Sequence, residues 1–225
     1  MDKLHAVLTG DIVRSRSLSH RQLEKVRNRL DWCTEQLNGL KRRLVHGRVD
    51  FFRGDSWQML LNEPTQALRA ALYARAALLA FEECTTRISI GIGPVTEISR
   101  RRISQSTGKA FVLSGHALDQ MKPGERLAIE LPDAWRETSA WLKVMLRMCD
   151  AVAGHWKPRQ AEAALRALEG LTQTEIADAI KPPISQQAVA KALAGGDWNA
   201  IDAALAQFEV AVGALPTKAA KRSTT

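Results

Sequence analysis

Between Val45 and Leu61 the chain alternates apolar and polar residues, with one break at Gly54-Asp55, and few patterns restrict a fold more. Val45, Val49 and Phe51 alternate with His46, Arg48 and Asp50, and Trp57, Met59 and Leu61 resume the alternation beyond the break. Period two puts the two sets on opposite faces of a strand, and Gly-Asp is turn chemistry, so the segment predicts a β-hairpin. Before it, Leu4–Thr9 is a short apolar run into Gly10-Asp11, the pattern of a buried strand. Ser19 and Gln22 then have capping-box spacing, with Leu18 and Leu23 as a hydrophobic staple. Leu23, Val26, Leu30, Cys33 and Leu37 share one helical face, which should stop near Asn38-Gly39. After the hairpin, Asn62 and Pro64 predict the start of a second helix reaching about Glu82. That helix is apolar almost all round, apart from Arg69 and Arg75, so it should lie between a sheet and a neighbour. A strand over Arg87–Ile92 closed by Gly93-Pro94, a helix over Ala110–Met121 and a strand over Arg126–Glu130 complete the order β-α-β-β-α-β-α-β. The expectation is α+β: a ferredoxin-like, mainly antiparallel sheet with helices on one side.

Trp135–Val152 predicts a connecting helix, and beyond Gly154 the sequence turns Ala- and Gln-rich and wholly helical. Pro158–Leu168 and Asp197–Val212 read as helices. Between them, Thr172 and Glu175 form a second capping box, Pro182-Pro183 forces a turn, and Ser185 caps a further helix. The expected organisation is 1–134, a connecting helix over 135–154, a small all-α domain over 155–213, and a disordered basic tail over 214–225.

The net charge of +8 is unevenly placed: residues 1–154 hold 24 Lys+Arg against 17 Asp+Glu, residues 155–225 hold 8 against 7. A phosphate-binding surface should therefore be sought in the larger part. Cys33, Cys84 and Cys149 are odd in number and scattered, which argues for a reducing compartment and against a disulfide framework. No apolar run is long enough to cross a bilayer, and Met1-Asp2-Lys3 leads straight into a strand-like stretch, so the expected location is cytoplasmic.

The two Gly-Asp steps carry the chemistry. Asp11 ends the first strand and Asp55 sits at the hairpin tip, so the fold can bring both carboxylates to one edge. Two hard oxygen ligands suit Mg²⁺ when a substrate's phosphates complete its shell. Arg14 and Arg16 follow Asp11 in a short loop before a helix, and their charges suit a triphosphate. Both aspartates also fit ordinary turn chemistry.

"AVLTGDIVRSRSL", "FFRGDSWQMLL", "RISIGIGPV" and "STGKAFVLSGHAL" occur in an order and spacing that resemble the SatD family, and through it a shortened class III nucleotidyl cyclase domain with a palm fold. The resemblance covers about residues 4–130. It implies that Asp11, Asp55 and the Ile12 carbonyl bind Mg²⁺; Arg14, Ser15, Arg16 and Gly54 beside them are the candidate phosphate contacts of a bound nucleotide. The cyclases carry an Asn and an Arg after the segment matching Gly108. Phe111–Ala117 holds neither, so the resemblance implies nucleotide binding more than turnover.

"LTQTEIADAI–KPP–ISQQAVAKAL" resembles a helix-turn-helix with Ser185–Leu193 as the recognition helix. Ser185, Gln186, Gln187 and Lys191 are its candidate DNA contacts, with Gln able to read adenine and Lys able to reach phosphate. The segment's near-neutral charge fits a packing module equally well. The leading expectation is thus a DNA-binding regulator, acting as a homodimer, whose palm senses a nucleotide with Mg²⁺. The alternative is a Mg²⁺-dependent nucleotidyl cyclase or nucleotidyltransferase with an accessory helical domain.

Overall fold

A computed structural model of the chain describes residues 3–52, 54–99 and 101–216. Its first part runs β1 (Leu4–Ile12), α1 (His20–Leu40), β2 (Val45–Phe52), β3 (Ser56–Leu61), α2 (Ala67–Glu82) and β4 (Thr86–Glu97). β5 (Thr107–Gly108), α3 (Lys109–Asp119) and β6 (Leu127–Glu130) follow. The sheet order is β2-β3-β1-β4-β5, with every neighbour antiparallel, and β6 pairs with β4 in parallel. Strands β1 to β4 with α1 and α2 therefore form the expected β-α-β-β-α-β unit.

One expectation about the layers is corrected. Helices lie on both sides of the sheet, because β4 has two usable faces. Ile88, Ile90 and Ile92 point into the main core with Ala6 and Leu8, against α1 and α2. Val7 and Leu60 point the other way, to a second cluster with Ala110 and Phe111 of α3. A Cβ at Gly91 would run into the Ala110 carbonyl and the Ser114 amide, so glycine on that face is what lets α3 settle on the strand. Ser114 Oγ, hydrogen-bonded to Thr9 Oγ1 at 2.8 Å, ties α3 to β1.

Local signals set most element ends. Ser19 and Gln22 form the capping box of α1, and Val26, Leu30, Cys33 and Leu37 are buried beneath it. The helix runs past Asn38-Gly39 to Leu40, because Asn38 Oδ1 accepts from Val45 N (2.8 Å) and anchors β2 instead of ending the helix. Asn62 caps nothing: its side chain donates to the Arg43 carbonyl (2.9 Å), a 3-10 turn over Pro64–Gln66 intervenes, and α2 begins at Ala67. β4 does not close at Gly93-Pro94. Pro94 sits opposite Leu4, the first residue of β1, and the chain beyond it changes partner to β5.

The remaining helices are α4 (Arg136–Ala153), α5 (Pro158–Leu168), α6 (Gln173–Ala179), α7 (Gln186–Gly195) and α8 (Trp198–Gly213). The main core continues from the sheet through α2 into α4, α5 and α8, taking in Leu142, Leu165 and Phe208. Three polar side chains of α2 reach into this layer. Arg75 pairs with the buried Asp150 of α4 at 2.8 Å, Arg69 pairs with Glu209 of α8, and the Tyr73 hydroxyl donates to Glu169 at 2.7 Å. A small separate cluster, Ala163, Ile176, Ala177, Ile180, Val189 and Leu193, joins α5, α6 and α7. Thr172 caps α6 in a box with Glu175, and Ser185 caps α7. Of the tail expected over 214–225, residues 217–225 lie outside the described residues.

Candidate functional site

The ends of β1 and the β2–β3 hairpin meet because of register. Asp11 stands opposite Ser56 on one side and Arg87 on the other, and Ile12 N donates to the Asp55 carbonyl at 3.2 Å. Each Gly-Asp step has its own physical reason. A Cβ at Gly10 would lie 2.5 Å from the Trp57 ring and 2.7 Å from the Arg87 carbonyl, so only glycine lets the buried indole pass beneath the strand. Gly54 has φ +84, a turn conformation that favours glycine. Trp57 Nε1 donates to Thr86 Oγ1 (3.0 Å), which donates to the Asp11 carbonyl (2.6 Å), and this chain fixes the backbone that carries Asp11.

A cavity of about 310 Å³ opens at this end of the sheet. Asp11, Ile12, Arg14, Ser15, Arg16 and Asp55, all expected from the sequence, line it together with Val13, Arg87 and Arg126. Gly54 is beside the cavity and not in its wall, with its carbonyl taken by Arg27 Nη2 at 2.5 Å. Arg14 adopts a left-handed conformation (φ 57) that starts a 3-10 turn over Ser15–Ser17. Within that turn the Ser15 hydroxyl donates to Asp55 Oδ2.

Arg87 and Arg126 are the residues that sequence reading missed. Arg87 is the second residue of β4 and Arg126 immediately precedes β6, with nothing in the local pattern to mark either. Arg87 grips both oxygens of Asp11: Nε donates to Oδ1 at 2.8 Å and Nη2 donates to Oδ2. This hydrogen bonding to Asp11, together with the charges of Asp11, Asp119 and Asp55, outweighs partial burial and holds the guanidinium above its ordinary value. Four arginines and two aspartates thus line one cavity.

No family model matches the chain, and no curated protein matches it. Among solved structures it is similar to the guanylyl cyclase Cya2, at 18% identity and a TM-score of 0.39, over 58% of this chain and 77% of that one. It is also similar to the catalytic core of a rhodopsin-guanylyl cyclase with converted specificity in complex with ATPαS. There the identity is 18% and the TM-score 0.41, over 54% of this chain and 74% of that one.

The donor set of a Mg²⁺ site is here in kind, since Asp11, Asp55 and the Ile12 carbonyl are all hard oxygen ligands. Its arrangement does not fit the ion. Both oxygens of Asp11 are held by Arg87, Asp55 is held by Ser15, and the lining is a net two charges positive before any cation arrives. Among the described residues no group of three or more His, Cys, Asp or Glu side chains is placed to hold a metal.

The expected DNA contacts lie apart. Gln187 and Lys191 are exposed on the side of α7 away from the buried Val189 and Leu193, and Gln186, exposed in the first turn on the Val189 side, donates from Nε2 to Gln173 at 2.6 Å. Arg102 pairs with Asp50 at 2.9 Å, outside the cavity wall. His116 Nδ1 is 2.7 Å from Glu130 and outside the cavity wall. A larger cavity of about 510 Å³ lies between α3, β6 and α4, lined in part by Met121, Val144 and Met148 and by none of the residues around Asp11. No helix among the described residues is long and apolar enough to cross a membrane.

Proposed function

We propose that the cavity between β1, the β2–β3 hairpin and the loop over residues 13–17 binds a nucleoside polyphosphate through its phosphates. The observation that carries this is the charge balance at a formed cavity: Arg14, Arg16, Arg87 and Arg126 against Asp11 and Asp55. Guanidinium groups present paired donors that match phosphate oxygens, and several cations around one cavity favour a polyanion over a single phosphate. A nucleoside triphosphate is the class that the sequence resemblance implies, and the lining supports its triphosphate half. Thermal unfolding with ATP, GTP and tripolyphosphate tests it. Ligand at a hundredfold excess over its Kd should stabilise the fold by about 2.7 kcal/mol. Arg16→Ala with Arg126→Ala should abolish that shift. No shift with any of the three ligands would end the reading, and pyrophosphate release lost in Asp55→Ala would extend it to a nucleotidyltransferase.

A second reading concerns α7. Gln187 and Lys191 share the exposed side of a helix whose other side is anchored by Val189 and Leu193, with Gln186 exposed at its first turn, which is how a DNA-reading helix presents itself. We propose DNA contact there as a separate activity. Electrophoretic shifts with duplex fragments at low salt should be weakened by Lys191→Ala, and an absence of any shift would refute it.

A further inference from the structure

We infer that Arg87 holds the electrostatic place a divalent cation would take at this site, so that the cavity binds polyphosphate without metal. The inference rests on the polyphosphate reading above and goes beyond it in assigning how the charge is met. Asp11 and Arg87 are direct cross-strand partners of β1 and β4, so the guanidinium is tethered to the carboxylate by the sheet itself. It cannot diffuse away as a solvent counterion can. Its fork meets the carboxylate through two nitrogens, the geometry in which arginine binds carboxylates best. A divalent ion at Asp11 would have to displace that fork and then sit beside a fixed positive charge, with Arg14, Arg16 and Arg126 around it. Asp55 is likewise engaged, by Ser15 of the loop that carries Arg14 and Arg16. The carboxylates therefore orient arginine and loop, and the arginines supply the excess charge around the cavity.

This assignment reverses the sign of a simple experiment. In a metal-bridged site the aspartates are attractive to the complex, and removing one loses the ligand. In an arginine-filled site they are the repulsive element, and removing one relieves it. Calorimetric titration of the whole chain with tripolyphosphate, in EDTA and in excess Mg²⁺, is the test. Binding in EDTA that equals or exceeds binding in Mg²⁺ is expected, because Mg²⁺ masks the charge that the arginines read. Binding only in Mg²⁺ would overturn the inference and leave the polyphosphate reading standing. Absence of binding in both would remove the reading beneath it. Asp55→Asn should bind tripolyphosphate in EDTA at least as tightly as the parent chain, and a loss there of about tenfold or more would count against us. Arg87→Met should weaken binding in EDTA by roughly ten- to hundredfold, and unchanged affinity would also overturn the inference. Should Arg87→Met fail to fold, the Asp55→Asn titration decides alone.

Discussion

Two arginine–aspartate pairs join parts of this chain that are far apart in sequence, and they do different work. Arg75–Asp150 lies in the core between α2 and α4, with the side chains only 5% and 6% exposed. Asp150 also accepts from the Arg126 and Leu127 amides (2.7 and 3.3 Å), so it fixes the start of β6 as well as the helix pair. Arg87–Asp11 has the same chemistry at the cavity, with the side chains 34% and 21% exposed. Water reaches the second pair and not the first. Burial makes the core pair a structural joint that cannot be half broken. Partial exposure leaves the sheet-end pair inexpensive to alter and open to a ligand.

Removing one partner from each pair should separate them most widely. Asp150→Ala strands a buried guanidinium and two amides, and should cost about 3–5 kcal/mol in denaturant unfolding. If it cost no more than a surface substitution, the distinction between the two pairs would collapse. Gly10→Ala asks whether the frame around the exposed pair is as rigid as the core. The added methyl meets the Trp57 ring and the Arg87 backbone, and should destabilise by about 1–3 kcal/mol. Its neighbour Asp11 should behave oppositely: Asp11→Ala is expected to cost about 1 kcal/mol or less while changing tripolyphosphate affinity in the same titration. Equal losses at residues 10 and 11 would show that the pair is structural after all.

A third pair, Asp50–Arg102, extends the comparison towards solvent, with Arg102 42% exposed. Burial works to raise the Asp50 carboxyl, but hydrogen bonds from Arg102 and Ser104 prevail and hold it below its ordinary value. A lowered folded value means that its stabilisation is complete above the unfolded carboxylate range and is lost as pH falls through the folded one. The melting-temperature gap between the parent chain and Asp50→Asn should therefore be small at neutral pH and close on acidification. A gap that widened in acid would contradict the assignment.

Much of the site's frame was legible in the chain. The hairpin alternation, its Gly54-Asp55 tip, the apolar run into Asp11 and the Ser19–Gln22 box are each written within a few neighbouring residues. The loop arginines Arg14 and Arg16 were legible for the same reason, since they adjoin Asp11. The Asn62 cap and the stop at Gly93-Pro94 were misread because a local signal met a stronger distant partner, the Arg43 carbonyl in one case and β5 in the other.

By itself, then, the sequence determined which segments form strands and helices, where most of them begin, and that two acidic turns end neighbouring elements. Those properties depend on dihedral preference, capping and periodicity over a few residues. Only the tertiary structure decided that Arg87 meets Asp11 across 76 positions, that Arg75 finds Asp150 across 75, and that α3 takes the glycine face of β4. Each of those contacts depends on strand register or helix docking, and register is set by burying the whole apolar pattern of a sheet at once. An arginine at the head of a strand carries no local mark of the carboxylate it will face, because that partner is chosen by the packing of the entire sheet.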